Sequence, residues 1–158
     1  MIKRFTLIFF LIITAACDFK PIFSEKNFKS YNFSISKLDL TGERLINIAF
    51  KSKLKNYTEK EAENSYEVRI RSKILREIES KDAKGNAASY KLSLLTTVLV
   101  LNDDKNITEK KYQETFEYLT SDNKFELKQY ENRIKNNLAE NTINEAILDI
   151  ARLKDNAN

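Results

Sequence analysis

Histidine and tryptophan are absent from the 158 residues, and cysteine, proline and methionine occur once each. Without histidine there is no imidazole general base, no His/Cys zinc site and no Cys–His nucleophilic pair; a single cysteine closes no disulfide within the chain. The only two glycines, Gly42 and Gly85, lie far apart, so neither a P-loop nor a dinucleotide fingerprint can be written. Carboxylate clusters are few. Asp103-Asp104, Glu61 with Glu63, and Asp122 fall in expected turns or element ends, whereas a glycosidase needs two carboxylates ~5–10 Å apart across a cleft. An envelope hydrolase therefore finds no support, and neither enzymatic activity nor a cofactor or metal is expected. Net charge is +4, from 27 Lys+Arg against 23 Asp+Glu, with no basic block in the body of the chain, which argues against nucleic acid as a partner. What is present is 42% apolar and 32% charged residues, the balance of one globular domain with a short appendage.

The N-terminus reads as an address. Lys3 and Arg4 precede an uncharged run from Phe5 to Ala16, apolar except for Thr6 and Thr14. Twelve such residues are too few to cross ~30 Å of hydrocarbon but suit the apolar core of a secretory signal. The run ends at Thr14-Ala15-Ala16-Cys17, which resembles the lipobox of bacterial lipoproteins, although Thr14 stands where that motif usually has Leu. The resemblance implies cleavage before Cys17 and acylation, with palmitate among the chains, at Cys17. A buried core cysteine or an uncut anchor are the competing readings. One acyl chain holds weakly and two or more hold well, at about 0.8 kcal/mol per buried CH₂. Residues 1–16 are thus read as a signal peptide and 17–30, with Pro21, as a lipidated tether. Residues 31–158 are read as a single α+β domain.

In that domain Tyr31–Leu40 reads as a strand whose apolar phase changes between Ile35 and Leu38, which suggests a bulge or a strand end covered on both sides. Thr41-Gly42-Glu43 offers a helix cap and an acidic first turn, and Leu45, Ile46, Ile48, Ala49, Phe50 and Leu54 follow at helical spacing to about Tyr57. Ser65–Glu79 alternates, with Tyr66, Val68, Ile70, Ile74 and Ile78 on one face, interrupted by Ser72 and Arg76. Gly85-Asn86 marks a hairpin turn. Ala87–Leu101 ends apolar on both faces, as in a central strand or one covered by a partner. Ile107–Thr120 alternates again; Tyr112, Phe116 and Tyr118 are read as packing beneath helices. Lys124 to about Leu153 forms a long amphipathic helix through Leu127, Tyr130, Ile134 and Leu138, with a phase slip near Asn141. The order is β-α-β-β-β-α: a right-handed crossover followed by a meander, giving a four-stranded mixed sheet with two helices on one face.

Three features together resemble the LPS-assembly lipoprotein LptE family, alphaproteobacterial type. They are the start Cys17-Asp18-Phe19-Lys20-Pro21-Ile22-Phe23, the element order, and Lys84-Gly85-Asn86-Ala87-Ala88-Ser89-Tyr90 running into a Thr/Val-rich strand. Asp18 stands where the family usually has Gly. The resemblance implies an outer-membrane, periplasmic-face, lipid-anchored subunit that plugs and helps assemble an LptD-like outer-membrane β-barrel in lipopolysaccharide transport. Asp18 also resembles the inner-membrane retention signal of some enteric bacteria, which leaves the destination open. A stand-alone periplasmic lipid-binding lipoprotein is the alternative; it requires an apolar cavity between sheet and helices.

Candidate ligand residues follow. Arg69, Arg71 and Lys73, with Lys91 on the next strand, would share one open sheet face and could meet phosphates, carboxylates or an acidic barrel lining. The same stripe also reads as a solvated face balanced by Glu67, Glu77 and Glu79. Lys81 and Lys84 sit on the hairpin tip, where the family places a lipopolysaccharide-contacting basic residue. Lys84 is the nearest match, and Lys128, early in the last helix, is a second candidate.

Overall fold

The computed structural model describes residues 31–103 and 105–153; the signal, the tether and Cys17 lie outside the described residues. Six elements follow in the expected order: β1 (Phe33–Thr41), α1 (Arg44–Thr58), β2 (Asn64–Lys81), β3 (Ala87–Asn102), β4 (Lys105–Leu119) and α2 (Lys124–Arg152). They form one four-stranded sheet in the order β1-β2-β3-β4. β1 and β2 are parallel with α1 as the crossover, and the other two pairings are antiparallel. The fold is α+β with a mixed sheet, and β3 is central.

The phase change in β1 is a bulge. Ile35 pairs with Tyr66 and Lys37 with Glu67, leaving Ser36 as the extra residue. Its hydroxyl donates to the Tyr66 carbonyl at 3.2 Å. The bulge keeps Phe33 and Ile35 on the helix side before it and Leu38 and Leu40 there after it. The layer between sheet and helices is filled by Ile46, Phe50 and Leu54 of α1, Val68, Ile70, Leu92, Leu94, Val98 and Val100 of the sheet, and Ile134, Leu138, Ile143, Ala146 and Ile150 of α2. Each large aliphatic or aromatic side chain so buried contributes ~1.5–3 kcal/mol.

Four local expectations are corrected. Thr41 belongs to the strand, and Glu43 occupies the N-cap position of α1 without a side-chain cap bond. Its carboxylate instead accepts from Lys135 Nζ of α2 at 2.6 Å, tying the two helices together. Tyr130 is not in the buried stripe of α2; Glu131 is, 7% exposed. Thr142 fills the place of the apparent phase slip, so the stripe runs unbroken from Leu127 to Ile150. Phe116 points to the helix side but is 43% exposed, unlike buried Tyr118.

Glu131 is buried because it answers Arg76, the charge that interrupts the core face of β2. The Arg76 Nε donates to Glu131 Oε1 at 2.9 Å, and the Tyr118 hydroxyl donates to the same oxygen at 2.7 Å. The guanidinium also lies 3.5 Å from the centroid of the Tyr90 ring. Burial, reinforced by the Glu131 carboxylate, pushes the Tyr118 hydroxyl up to about 12.

Gly42 lies where the chain leaves β1 for α1, with φ 132. A Cβ there would come within 2.2 Å of the Ser72 carbonyl oxygen. Only glycine lets the crossover pass this close to β2.

Gly42→Ala is expected to lower unfolding free energy by more than about 1 kcal/mol in urea titrations, through both strain and the clash. Glu131→Ala leaves Arg76 and Tyr118 without their shared acceptor and is expected to cost about 1–3 kcal/mol. Because the folded Tyr118 holds its proton more tightly than an unfolded tyrosine, unfolding releases that proton at high pH. Stability should be intact below pH ~10 and fall as pH rises towards 12, and Tyr118→Phe should flatten that fall in melts taken across the range.

Candidate functional site: the uncovered sheet face and the hairpin tip

Because both helices pack on one face, the other face of the sheet carries no covering element among the described residues. Pleat and register determine what it presents. Arg69, Arg71 and Lys73 follow one another along this face of β2, as the alternation predicts, and Lys91 stands on the same face of β3. They do not form one cluster. Lys73 pairs with Leu95 and Lys91 with Glu77, four residues farther along β3, a separation of about 13 Å.

The ends of the stripe are neutralised. Arg69 Nε donates to Glu67 Oε1 at 2.7 Å, and Lys37 reaches the same carboxylate at 3.2 Å. The Arg69 hydrogen bond, then that of Lys37, holds the Glu67 carboxyl below its usual range. Lys91 lies 3.4 Å from Glu117 and 3.8 Å from Glu79. Exposed pairs of this kind contribute little to stability, but they remove their cations from the field a ligand meets.

What remains in the middle is Arg71 and Lys73, both exposed. Lys111 of β4 joins them, facing Arg71 across Thr97 at a Cα separation of about 10 Å. Lys111 was missed as a functional candidate. Its alternation with Tyr112 was visible, but nothing in the sequence told which residue of β4 stands beside which of β2. Between these cations the face is aliphatic, with half-buried Leu75, Leu95 and Leu99. β3 is thus apolar on both faces because it is central and because one face is left open. Unpaired cations bordering an aliphatic strip can hold an anionic amphiphile, head on the cations and chain on the leucines, or an apolar protein surface with an acidic margin.

The hairpin tip is separately ordered. Asp82 accepts from the backbone N–H of Lys84 and of Asn86, at 2.8 Å each, and its own N–H donates to the Asn86 carbonyl at 2.8 Å. The Asn86 hydrogen bonds, backbone first, hold the Asp82 carboxyl below its usual range. Gly85 supplies the left-handed φ of 85. Lys81 and Lys84 are therefore presented on a fixed turn, exposed and well beyond the helices. Lys128 is exposed on α2, in the layer on the opposite side of the sheet, away from the stripe. Glu61, Glu63, Asp103 and Asp122 are all exposed and lie in turns or links rather than around a cleft. Among the described residues no group of three or more His, Cys, Asp or Glu could hold a metal ion, and no helix is long and apolar enough to cross a membrane.

The double substitution Arg71→Ala with Lys73→Ala should leave thermal unfolding within about 0.5 kcal/mol of the parent, because neither side chain is committed to the fold.

The chain matches no family model, and no curated protein matches it by sequence. Its fold is shared with solved lipoproteins. Rare lipoprotein B from Shewanella oneidensis is similar at a TM-score of 0.55 and 16% identity, over 75% of this chain and 98% of that one. Lipoprotein B from Nitrosomonas europaea is similar at 0.55 and 12%, over 79% and 88%. A minor lipoprotein from Acinetobacter baumannii is similar at 0.50 and 14%, over 73% and 90%. At these identities the likeness is one of fold: a small sheet roofed on one side by two helices, as found in bacterial lipoproteins.

Proposed function

We propose that this chain is a non-catalytic, lipid-anchored subunit of the cell envelope that works by binding. In this reading Cys17 carries the acyl chains, and the folded domain is the assembly partner and plug of an LptD-like outer-membrane β-barrel that delivers lipopolysaccharide to the cell surface. The observation that carries it is the uncovered sheet face, a cation-bordered aliphatic strip on a fold shared with bacterial lipoproteins over nearly their full length. A surface of this kind suits enclosure by another protein and contact with an anionic glycolipid. Arg71, Lys73 and Lys111 are the residues best placed for phosphate groups, with Lys84 and Lys81 offering a second contact at the tip. A lipid carrier acting alone is less well supported, because the core layer between sheet and helices is filled by side chains and the groove beside it, between the β1 edge and α1, is open rather than enclosed.

Two measurements test this. The intact chain should co-purify from detergent-solubilised outer membrane with a heat-modifiable barrel protein, and recovery as a monomer would count against the barrel partnership. The triple variant Arg71→Glu, Lys73→Glu, Lys111→Glu should bind immobilised lipopolysaccharide at least about tenfold more weakly than the parent while keeping its circular dichroism spectrum. Unchanged binding would remove the sheet face from the reading.

A further inference from the structure

Among the described residues β1 is an edge strand, paired with β2 on one side only. A free edge presents unpaired N–H and C=O groups, so most are blunted by charge or covered. The opposite edge, β4, is guarded: Lys110 and Glu114 occupy its helix side, and Glu109, Lys111 and Glu117 the other. β1 is different on its helix side. Ile35, Leu38 and Leu40 form the floor of a groove of about 930 Å³ that runs between this edge and α1. The facing wall is Arg44, Asn47, Ile48 and Lys51, with Ile48 54% exposed. Asn47 Oδ1 is buried at this wall without a hydrogen-bond partner. Lys55 farther along is engaged by Glu59 at 3.7 Å, whereas Arg44 and Lys51 have no anionic partner among the described residues.

We infer that this groove is a strand-addition site. An extended segment of another protein, with alternate aliphatic side chains and acidic flanks, pairs with the free edge of β1 beneath α1. Main-chain hydrogen bonds to the edge supply affinity, and side chains of one phase seat on Leu38, Leu40 and Ile48. The acidic flanks meet Arg44 and Lys51. An acyl chain would fill the apolar floor but leave the N–H and C=O groups of the strand edge unmatched. A second copy of this chain fits poorly, since it would bring a second Arg44 and Lys51 against the first. The site is independent of enclosure by a barrel.

The test is fluorescence anisotropy of the intact chain with a labelled decapeptide in which valine alternates with threonine between paired glutamates. Saturable binding is expected, falling at least about tenfold for Ile48→Glu and for Lys51→Glu, whose exposed helix positions leave the fold intact by circular dichroism. A peptide with lysines in place of the glutamates should bind more weakly by a similar factor. The same acidic peptide N-methylated at alternate residues keeps its side chains but cannot pair with an edge, and should not bind. Equal binding of the N-methylated or lysine-flanked peptide overturns the inference. So does displacement of the acidic peptide by phosphatidylglycerol vesicles, which would make the groove a lipid site.

Discussion

Burial of one sheet face beneath α1 and α2 is the interaction on which the other features depend. β2 and β3 have 18 and 16 residues, spanning about 50–60 Å, whereas α1 and α2 have 15 and 29 residues and span about 22 and 44 Å. The helices therefore cannot cover the whole length of the strands, nor can two helices on one face cover the other. The hairpin end is left projecting beyond the core, with Ile78 half-exposed, and among the described residues an entire face is left without a roof. Both candidate regions, the stripe and the tip, exist because of that mismatch between what the strands present and what the helices can reach.

The projecting end is not simply solvated. Arg76 sits on the helix-facing side of β2 where the apolar core gives out, and it is held there by Glu131 from below and Tyr90 alongside. Glu131 is buried while the Arg76 guanidinium stays partly exposed, and the buried carboxylate is tolerable because it accepts from both Arg76 and Tyr118. The shared oxygen of Glu131, accepting from both Arg76 and Tyr118, sets α2 relative to β2 and β4. It marks the boundary between the packed body and the exposed tip.

The two margins of the sheet are treated differently. β4 is charged on both faces and partly covered by α2, where Tyr112 donates to Asp149 at 2.8 Å and Lys110 pairs with the same carboxylate at 2.9 Å. β1 keeps aliphatic residues on its helix side, with α1 standing over them like an eave. The open face gathers cations around leucines, and the β1 groove does so around a strand edge. A domain built this way offers apolar surface at two places, each marked with positive charge. That suits a protein that functions by being held against other molecules.

Element order, element ends to within about two residues and the one-sided roof were legible in the sequence, as was the phase change in β1 that proved a bulge, because they follow from periods of 2 and 3.6 in apolar residues and from turn chemistry at Gly85-Asn86. The stripe of Arg69, Arg71 and Lys73 was legible for the same reason. Only the tertiary structure decided that Glu131 replaces Tyr130 in the core and that Lys91 and Arg69 are neutralised while Lys111 joins the unpaired cations. It also revealed the groove beneath α1. These depend on which residues of distant segments stand side by side. Register across strands and the angle of a helix on a sheet are decided by packing over the whole domain, and no local pattern in one segment carries that information.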